Sequence, residues 1–200
     1  MRVFVAVQPP LSVVEDLQEF LEPRAFAPDP LAVRGGSGWR WSRPEQLHLT
    51  LAFVPDLDRD LEERVVEAGQ DWAQRQQPID LQICGAGAFP DPGSAKVLWM
   101  GLQDAQASER LTGWGHGIRG VISHAGGRPE GRALRPHLTV ARSRTPGGQP
   151  AGRLLQSLDT YRSSAWPVET LSLIASTLGD GPGGSPRYDV LHEWVLGEGR

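Results

Sequence analysis

The sequence predicts an α+β fold whose strands pair mostly antiparallel. Three observations lead there. Strand-like and helix-like runs follow one another in the order β-α-β-α-β-β-α-β-α-β-β, so some neighbouring strands have no helix between them. Gly and Pro number 24 and 17 of 200 residues, a share that favours many turns over a helical bundle. One short pattern, His-x-Thr, occurs twice in matching apolar surroundings, which suits two similar half-structures. No composition break divides the chain, so residues 1–200 read as a single domain.

Residues 2–7 are β-rich and almost continuously apolar, as in a buried strand that Pro9 and Pro10 stop. Ser12 and Glu15 have capping-box spacing, and Val14, Leu17 and Leu21 recur at helix spacing until Pro23 ends the run. Residues 24–38, rich in Pro and Gly, read as a loop, with Gly35, Gly36 and Gly38 as a candidate lid over a site. Residues 46–54 read as a strand. Residues 58–77 read as an amphipathic helix with Leu61, Val65 and Trp72 inward and its acids on a solvated face. Residues 79–84 and 96–102 read as strands joined by a Gly/Pro loop. Residues 105–124 form a helix with Leu111, Trp114, Ile118, Val121 and Ile122 as its stripe, although Gly113, Gly115 and Gly117 weaken it. A strand over 136–141, a helix over 150–163 and strands over 168–176 and 188–196 complete the chain.

Composition excludes several classes. At 39% hydrophobic, 200 residues can bury a core of roughly 70% of the unfolded surface. A mean hydropathy of −0.33 and no long apolar run argue against a membrane span. The net charge of −4 gives no global pull toward nucleic acid, so any RNA contact must come from a local patch. The single cysteine, Cys84, allows no internal disulfide and reads as a small buried hydrophobe. The first apolar run is too short for a secretion signal, and the expected location is the cytoplasm.

His48-Leu49-Thr50-Leu51-Ala52 recurs as His137-Leu138-Thr139-Val140-Ala141, 89 residues later. With five His and seven Thr in the chain, two such pairs with matched neighbours are not expected from shuffling. Residues i and i+2 share a strand face, so each copy offers an imidazole and a hydroxyl together, while Leu49, Leu51, Leu138 and Val140 point to a core. Two imidazoles can serve as a base and an acid on opposite sides of a phosphorus. Two Thr hydroxyls can hold the phosphoryl oxygens. Two His with no close Cys or third His make a poor zinc set, and no metal or other cofactor is expected. His116, His124 and His192 have no Thr two residues on and read as surface or loop histidines.

Arg119, Arg128, Arg132, Arg135, Arg142 and Arg144 cluster around the second motif against the single acid Glu130, and could track an RNA backbone. Strict alternation puts Arg142 on the face opposite His137 and Thr139. It reaches a groove there only if the strand ends or bulges after Ala141. Trp39 and Arg40 follow the Gly-rich stretch, where an aromatic beside Arg can stack a base.

The chain resembles the 2H phosphoesterases, named for two His-x-Thr/Ser motifs. Within them it is most similar to the bacterial and archaeal RNA 2',3'-cyclic phosphodiesterases, also called the 2'-5' RNA ligase family. The residues that carry the likeness are 1–7 (MRVFVAV), 41–53 (WSRPEQLHLTLAF), 96–102 (KVLWMGL), 135–142 (RPHLTVAR) and 171–176 with Tyr188. Departures are Val54-Pro55 after the first motif and Arg135 before the second motif's Pro136. The resemblance implies two pseudo-two-fold lobes, with antiparallel sheets facing a central groove and helices outside. It implies hydrolysis of an RNA 2',3'-cyclic phosphate to a 2'-phosphomonoester, with His48 as proton donor, His137 as proton acceptor, and Thr50 and Thr139 beside them. Substrate binding is expected from Arg142, Arg135, Trp39 and Arg40. The expected partners are RNA with a 2',3'-cyclic end or a small cyclic nucleotide, with an ATP- or AMP-like nucleotide as another occupant of the groove, and the expected state is a monomer. The alternatives are a 2'-5' RNA ligase, a 2'-5' phosphodiesterase, or a non-enzymatic module that binds nucleotides or RNA 3' ends.

Overall fold

The computed structural model describes residues 1–26, 38–132 and 134–197. The chain runs β1 (Val3–Val7), α1 (Leu11–Phe26), β2 (Trp39–Trp41), β3 (Leu49–Val54), α2 (Glu62–Ala73), β4 (Ile79–Leu81), β5 (Ile83–Phe89), β6 (Val97–Leu102), α3 (Ala105–His124), β7 (Leu138–Ser143), α4 (Gly152–Leu158), β8 (Trp166–Val168), β9 (Thr170–Thr177) and β10 (Arg187–Val195). Seven strands lie in the order β10-β9-β1-β3-β7-β6-β5, with β2 added beside β7. Every pairing is antiparallel. Strands β4 and β8 form a separate two-stranded ribbon. No helix among the described residues is long and apolar enough to cross a membrane.

The two motif strands meet at the centre of the sheet. Between β3 and β7 the ladder holds one residue pair, Leu49 opposite Leu138. On one side β3 pairs with β1 and then β9; on the other, β7 pairs with β6 and then β5. Leu49, Leu51, Leu138 and Val140 are at most 1% exposed, and burying each contributes about 1.5–3 kcal/mol. That burial fixes which face of each strand is left for the groove.

Both motif strands carry the same irregularity. On β3, Thr50 pairs with Ala6 and Ala52 with Val5, which leaves Leu51 as an extra residue. On β7, Thr139 pairs with Trp99 and Ala141 with Leu98, which leaves Val140 as an extra residue. Two consecutive side chains therefore face the core in each strand, Leu51 with Ala52 and Val140 with Ala141. The residue that follows each bulge, Phe53 or Arg142, returns to the groove face.

Helix α3 packs behind β3, α2 behind β10, and α4 behind β5. The glycines of α3 divide by what they face. A Cβ at Gly115 would sit 2.8 Å from the Leu51 carbonyl oxygen, and one at Gly117 would run into the Trp72 indole of α2. Gly113 faces open space. The helix thus forms despite its glycines because two of them allow close approach to β3 and α2.

Several sequence expectations change. Helix α1 begins at Leu11, with the Val14 amide bonded to the Pro10 carbonyl, so Ser12 lies inside the first turn rather than capping it. Pro23 lies inside α1: the amide it lacks would have met the carbonyl of exposed Glu19, which water can serve. Residues 83–89 form one strand running through Gly85 and Gly87, where a loop was expected. Gly87 lies against the Trp99 indole, where no Cβ would fit. Residues 79–84 are split, because Ile79, Asp80 and Leu81 pair with β8 instead. Strand β2 was not expected, and the helix over 150–163 shrinks to α4. Cys84 is half-buried rather than buried, beside the ladder shift between Ile83 and Ala86. His192 is half-buried on β10 against Trp194 rather than in a loop, whereas His116 and His124 are exposed on α3, at the surface as expected. Of the expected 24–38 loop, residues 24–26 are helical and 27–37, including the lid glycines at 35 and 36, lie outside the described residues.

Replacing Gly113 with Ala should raise stability by up to about 1 kcal/mol through helix propensity. Replacing Gly115 with Ala should lower it by about 1–3 kcal/mol, because α3 must back away from β3. Thermal denaturation of the two variants measures both signs within one helix.

Candidate active site

The groove face of the sheet around the β3–β7 seam forms a cavity of about 360 Å³. His48, Thr50, His137, Thr139 and Arg142 line it, joined by Arg2, Arg40, Trp41 and Tyr188 among others. The antiparallel register that sets Leu49 opposite Leu138 brings Thr50 across from His137 and Thr139 across from His48. Each imidazole therefore faces the other motif's hydroxyl, and the groove needs both halves of the chain.

The histidines are held alike. His48 Nδ1 lies 2.8 Å from the Gln46 carbonyl oxygen, and His137 Nδ1 lies 2.7 Å from that of Arg135. A carbonyl can only accept, so Nδ1–H donates in both rings and Nε2 is left to exchange protons. The rings are also clamped. His48 stacks on Phe4 at 4.6 Å between centroids and meets Tyr188 edge-on at 5.4 Å. His137 meets Phe89 edge-on at 5.1 Å and Trp99 at 6.2 Å. Ser42 ties β2 to the second motif, its Oγ donating to the Thr139 carbonyl at 2.9 Å.

Electrostatics favour neutral rings. Burial is the main cause for both. It lowers His48 to about 4, against the raising effect of its bond to Gln46, and the positive charges of Arg142 and His137 add to the drop. His137 is lowered by burial first, then by Arg142 and Arg135. Arg142 is itself lowered by burial, with Arg40 and Arg2 adding to the effect and Tyr188 opposing it. A bound anion would relieve this crowding, because it stabilises every positive group in the groove.

The expected site residues fall into three groups. His48, Thr50, His137, Thr139, Arg142 and Arg40 come together in the groove. Arg142 gets there through the bulge at Val140, one residue earlier than the position considered from sequence. Arg135 stands at the side: its guanidinium covers Trp99 at 4.5 Å, and its carbonyl orients His137. Trp39 is corrected. It is 5% exposed in the core, because on β2 it falls on the face away from Arg40. The indole that lines the groove is Trp41, whose Nε1 is buried with no partner among the described residues. The basic cluster also disperses: Arg119 turns to His116 and the Arg132 carbonyl, and Arg144 to the Trp39 carbonyl.

Sequence reasoning missed Arg2 and Phe53. Arg2 lies 4.5 Å over the ring of Phe53, which holds the place in the first half that Arg142 holds in the second. The alignment of the two motifs pairs Phe53 with Arg142 and could have raised the question of where the first half finds its cation.

Residues 29–99 match the family profile described as LigT like Phosphoesterase. Over 146 residues the chain is 31% identical to an RNA 2',3'-cyclic phosphodiesterase of Archaeoglobus fulgidus, covering 71% of this chain and 72% of that one. Over 167 residues it is 30% identical to a protein of the same name from Thermus thermophilus, covering 82% and 79%. A solved structure from Thermus thermophilus superposes over the full length of both chains with a TM-score of 0.74 and 26% identity. E. coli LigT, solved with 3'-AMP, superposes with a TM-score of 0.72 at 22% identity over 98% of this chain and 97% of that one. With its two His-x-Thr strands sharing one groove and relatives of this identity and coverage, the chain belongs to the LigT-like phosphoesterases of the 2H superfamily.

Proposed function

We propose that the chain is an RNA 2',3'-cyclic phosphodiesterase that opens the cyclic ester to a 2'-phosphomonoester. The observation that carries this reading is the pair of imidazoles in one groove, each with Nδ1–H bonded to a main-chain carbonyl and Nε2 left for proton transfer. The relatives named for this activity support it. The working unit is the whole two-lobed chain, since each half supplies one His and one Thr.

In this reaction a water oxygen attacks phosphorus and the bond from phosphorus to the 3'-oxygen breaks. His137 Nε2 takes the proton from the water. His48 Nε2 gives a proton to the departing 3'-oxygen, the roles the family resemblance implies. Thr50 and Thr139 hold non-bridging oxygens, and Arg142, which acts on both rings, faces the negative charge that spreads over them. The bound anion is what makes a protonated His48 available, because it opposes the burial that favours the neutral ring.

Replacing either His48 or His137 with Ala should lower kcat by about 10²–10⁴-fold. The measurement uses a short RNA ending in a 2',3'-cyclic phosphate, with the product phosphate assigned by NMR. A 3'-phosphate product, or undiminished opening in both variants, would sink the proposal.

The rate should also report the lowered histidines. One ring must be charged and the other neutral, and both lie below 6.5 in the free protein. The singly protonated form is then most populated on the acid side of 6.5. The expected kcat/KM profile is a bell with its maximum below pH 6.5, falling as pH rises because the acid loses its proton. A maximum at pH 8 would contradict the burial argument. The kcat profile should lie at higher pH, since bound phosphate raises both groups.

A further inference from the structure

The groove holds more positive charge than the reaction needs. Arg40 lies directly opposite Arg142 in the β2–β7 ladder. Like charges placed so oppose each other, and an arrangement of this kind persists where an anion is to be bound. Arg2 adds a third guanidinium, its Cζ 4.5 Å from the centre of the Phe53 ring. All three line the same groove, and among the described residues no Asp or Glu does. Among the described residues, no ion pair joins any of them to a carboxylate. Arginine stays charged under all ordinary conditions. A cyclic phosphodiester carries one negative charge, and Arg142, which acts on both histidines, is placed to meet it. Two cations remain without a counterpart.

We propose that Arg2 and Arg40 form a second phosphate subsite, which takes the phosphate on the 5' side of the terminal nucleotide. The groove then reads two phosphates across one ribose, and a nucleoside 2',3'-cyclic phosphate with a free 5'-hydroxyl is an incomplete substrate. The second phosphate comes from one of two sources, a 5'-phosphomonoester or the 3',5'-diester that continues an RNA strand. The two share one chemistry. The subsite rests on the cyclic phosphodiesterase reading for its first phosphate. Arg2 comes from the edge of β1 and Arg40 from β2, so one cation arrives from each half of the sheet. Phe53 holds Arg2 through a cation–π contact, which uses none of the guanidinium's N–H donors and leaves them for phosphate oxygens.

Three substrates test this: adenosine 2',3'-cyclic phosphate, the same nucleoside with a 5'-phosphate, and a dinucleotide with a 2',3'-cyclic end. The expected kcat/KM is about tenfold or more higher for the latter two, the worth of a charge-assisted contact. In Arg2→Gln with Arg40→Gln that advantage should shrink to about twofold, while the bare nucleoside loses less. For the dinucleotide, the slope of log kcat/KM against log salt should become shallower by about 0.7 for each arginine removed. An advantage confined to the dinucleotide assigns the diester as the source, and one shared by the 5'-phosphate assigns the phosphate itself; both support the subsite. Equal rates on all three, or an advantage that survives the double substitution, overturns it. Calorimetry separates this failure from that of the reading beneath it. Adenosine 3',5'-bisphosphate should bind about tenfold tighter than adenosine 3'-monophosphate, and the double variant should close the gap. If none of the three substrates is opened but that gap is present, the subsite stands and the hydrolytic reading falls. If the gap is absent and the dinucleotide gains nothing that depends on the two arginines, the subsite falls whatever the turnover.

Discussion

One register decides where everything else goes. Leu49 sits opposite Leu138 at the seam between β3 and β7, and both are fully buried. A strand shifted by one residue would turn these leucines to the groove and the imidazoles into the core, so the hydrophobic pair specifies the position of the histidines as firmly as any contact they make themselves. The seam is one pair long, and the strands part from it toward their own lobes. That divergence opens room for a ligand beside a sheet that is otherwise continuous. The bulges at Leu51 and Val140 complete the arrangement by returning a side chain from each strand to the groove beyond its Thr.

The electrostatic character of the groove runs against that of the whole molecule. The chain carries a net charge of −4, yet among the described residues its three groove arginines meet no groove carboxylate. The histidines between them are kept neutral by burial and by the same positive field. Such a site is poised for an anion: binding relieves repulsion among the arginines and makes protonation of an imidazole less costly at the same moment. The aromatic rings around the histidines contribute the exclusion of water on which this depends, and they hold the imidazoles in place without competing for Nε2.

The catalytic candidates were legible because strand alternation is a local property and the His-x-Thr pattern repeats. The apolar partners of the motifs were legible for the same reason. Features set by a neighbouring strand were not. Arg142 could not be placed by alternation alone, since its direction depends on an extra residue opposite β6. Trp39 and Trp41 share one face of β2, and only the tertiary structure shows that Trp39 is covered by the core while Trp41, at the strand's end, reaches the groove. Gly85 and Gly87 read as loop because nothing in their own propensity asks for a strand; the Trp99 indole packed on Gly87 supplies the reason. Pro23 reads as a stop, but a carbonyl open to water tolerates the missing amide. Arg2 escaped notice because its role follows from Phe53, half the groove away from the second motif.

Phe53 and Arg142 occupy corresponding places after the two bulges, one a ring and the other a cation. A site with true two-fold symmetry would receive a cyclic phosphate in two orientations related by the axis, and its two ester oxygens would be interchangeable. The substitution of ring for cation gives the groove a polarity. Arg142 acts directly on both histidines, while the opposite side presents a guanidinium that belongs to another strand and leans on an aromatic face. A bound ring therefore meets two unlike walls, and its two ester oxygens stop being equivalent. Two similar half-structures thus present a bound anion with two distinguishable sides.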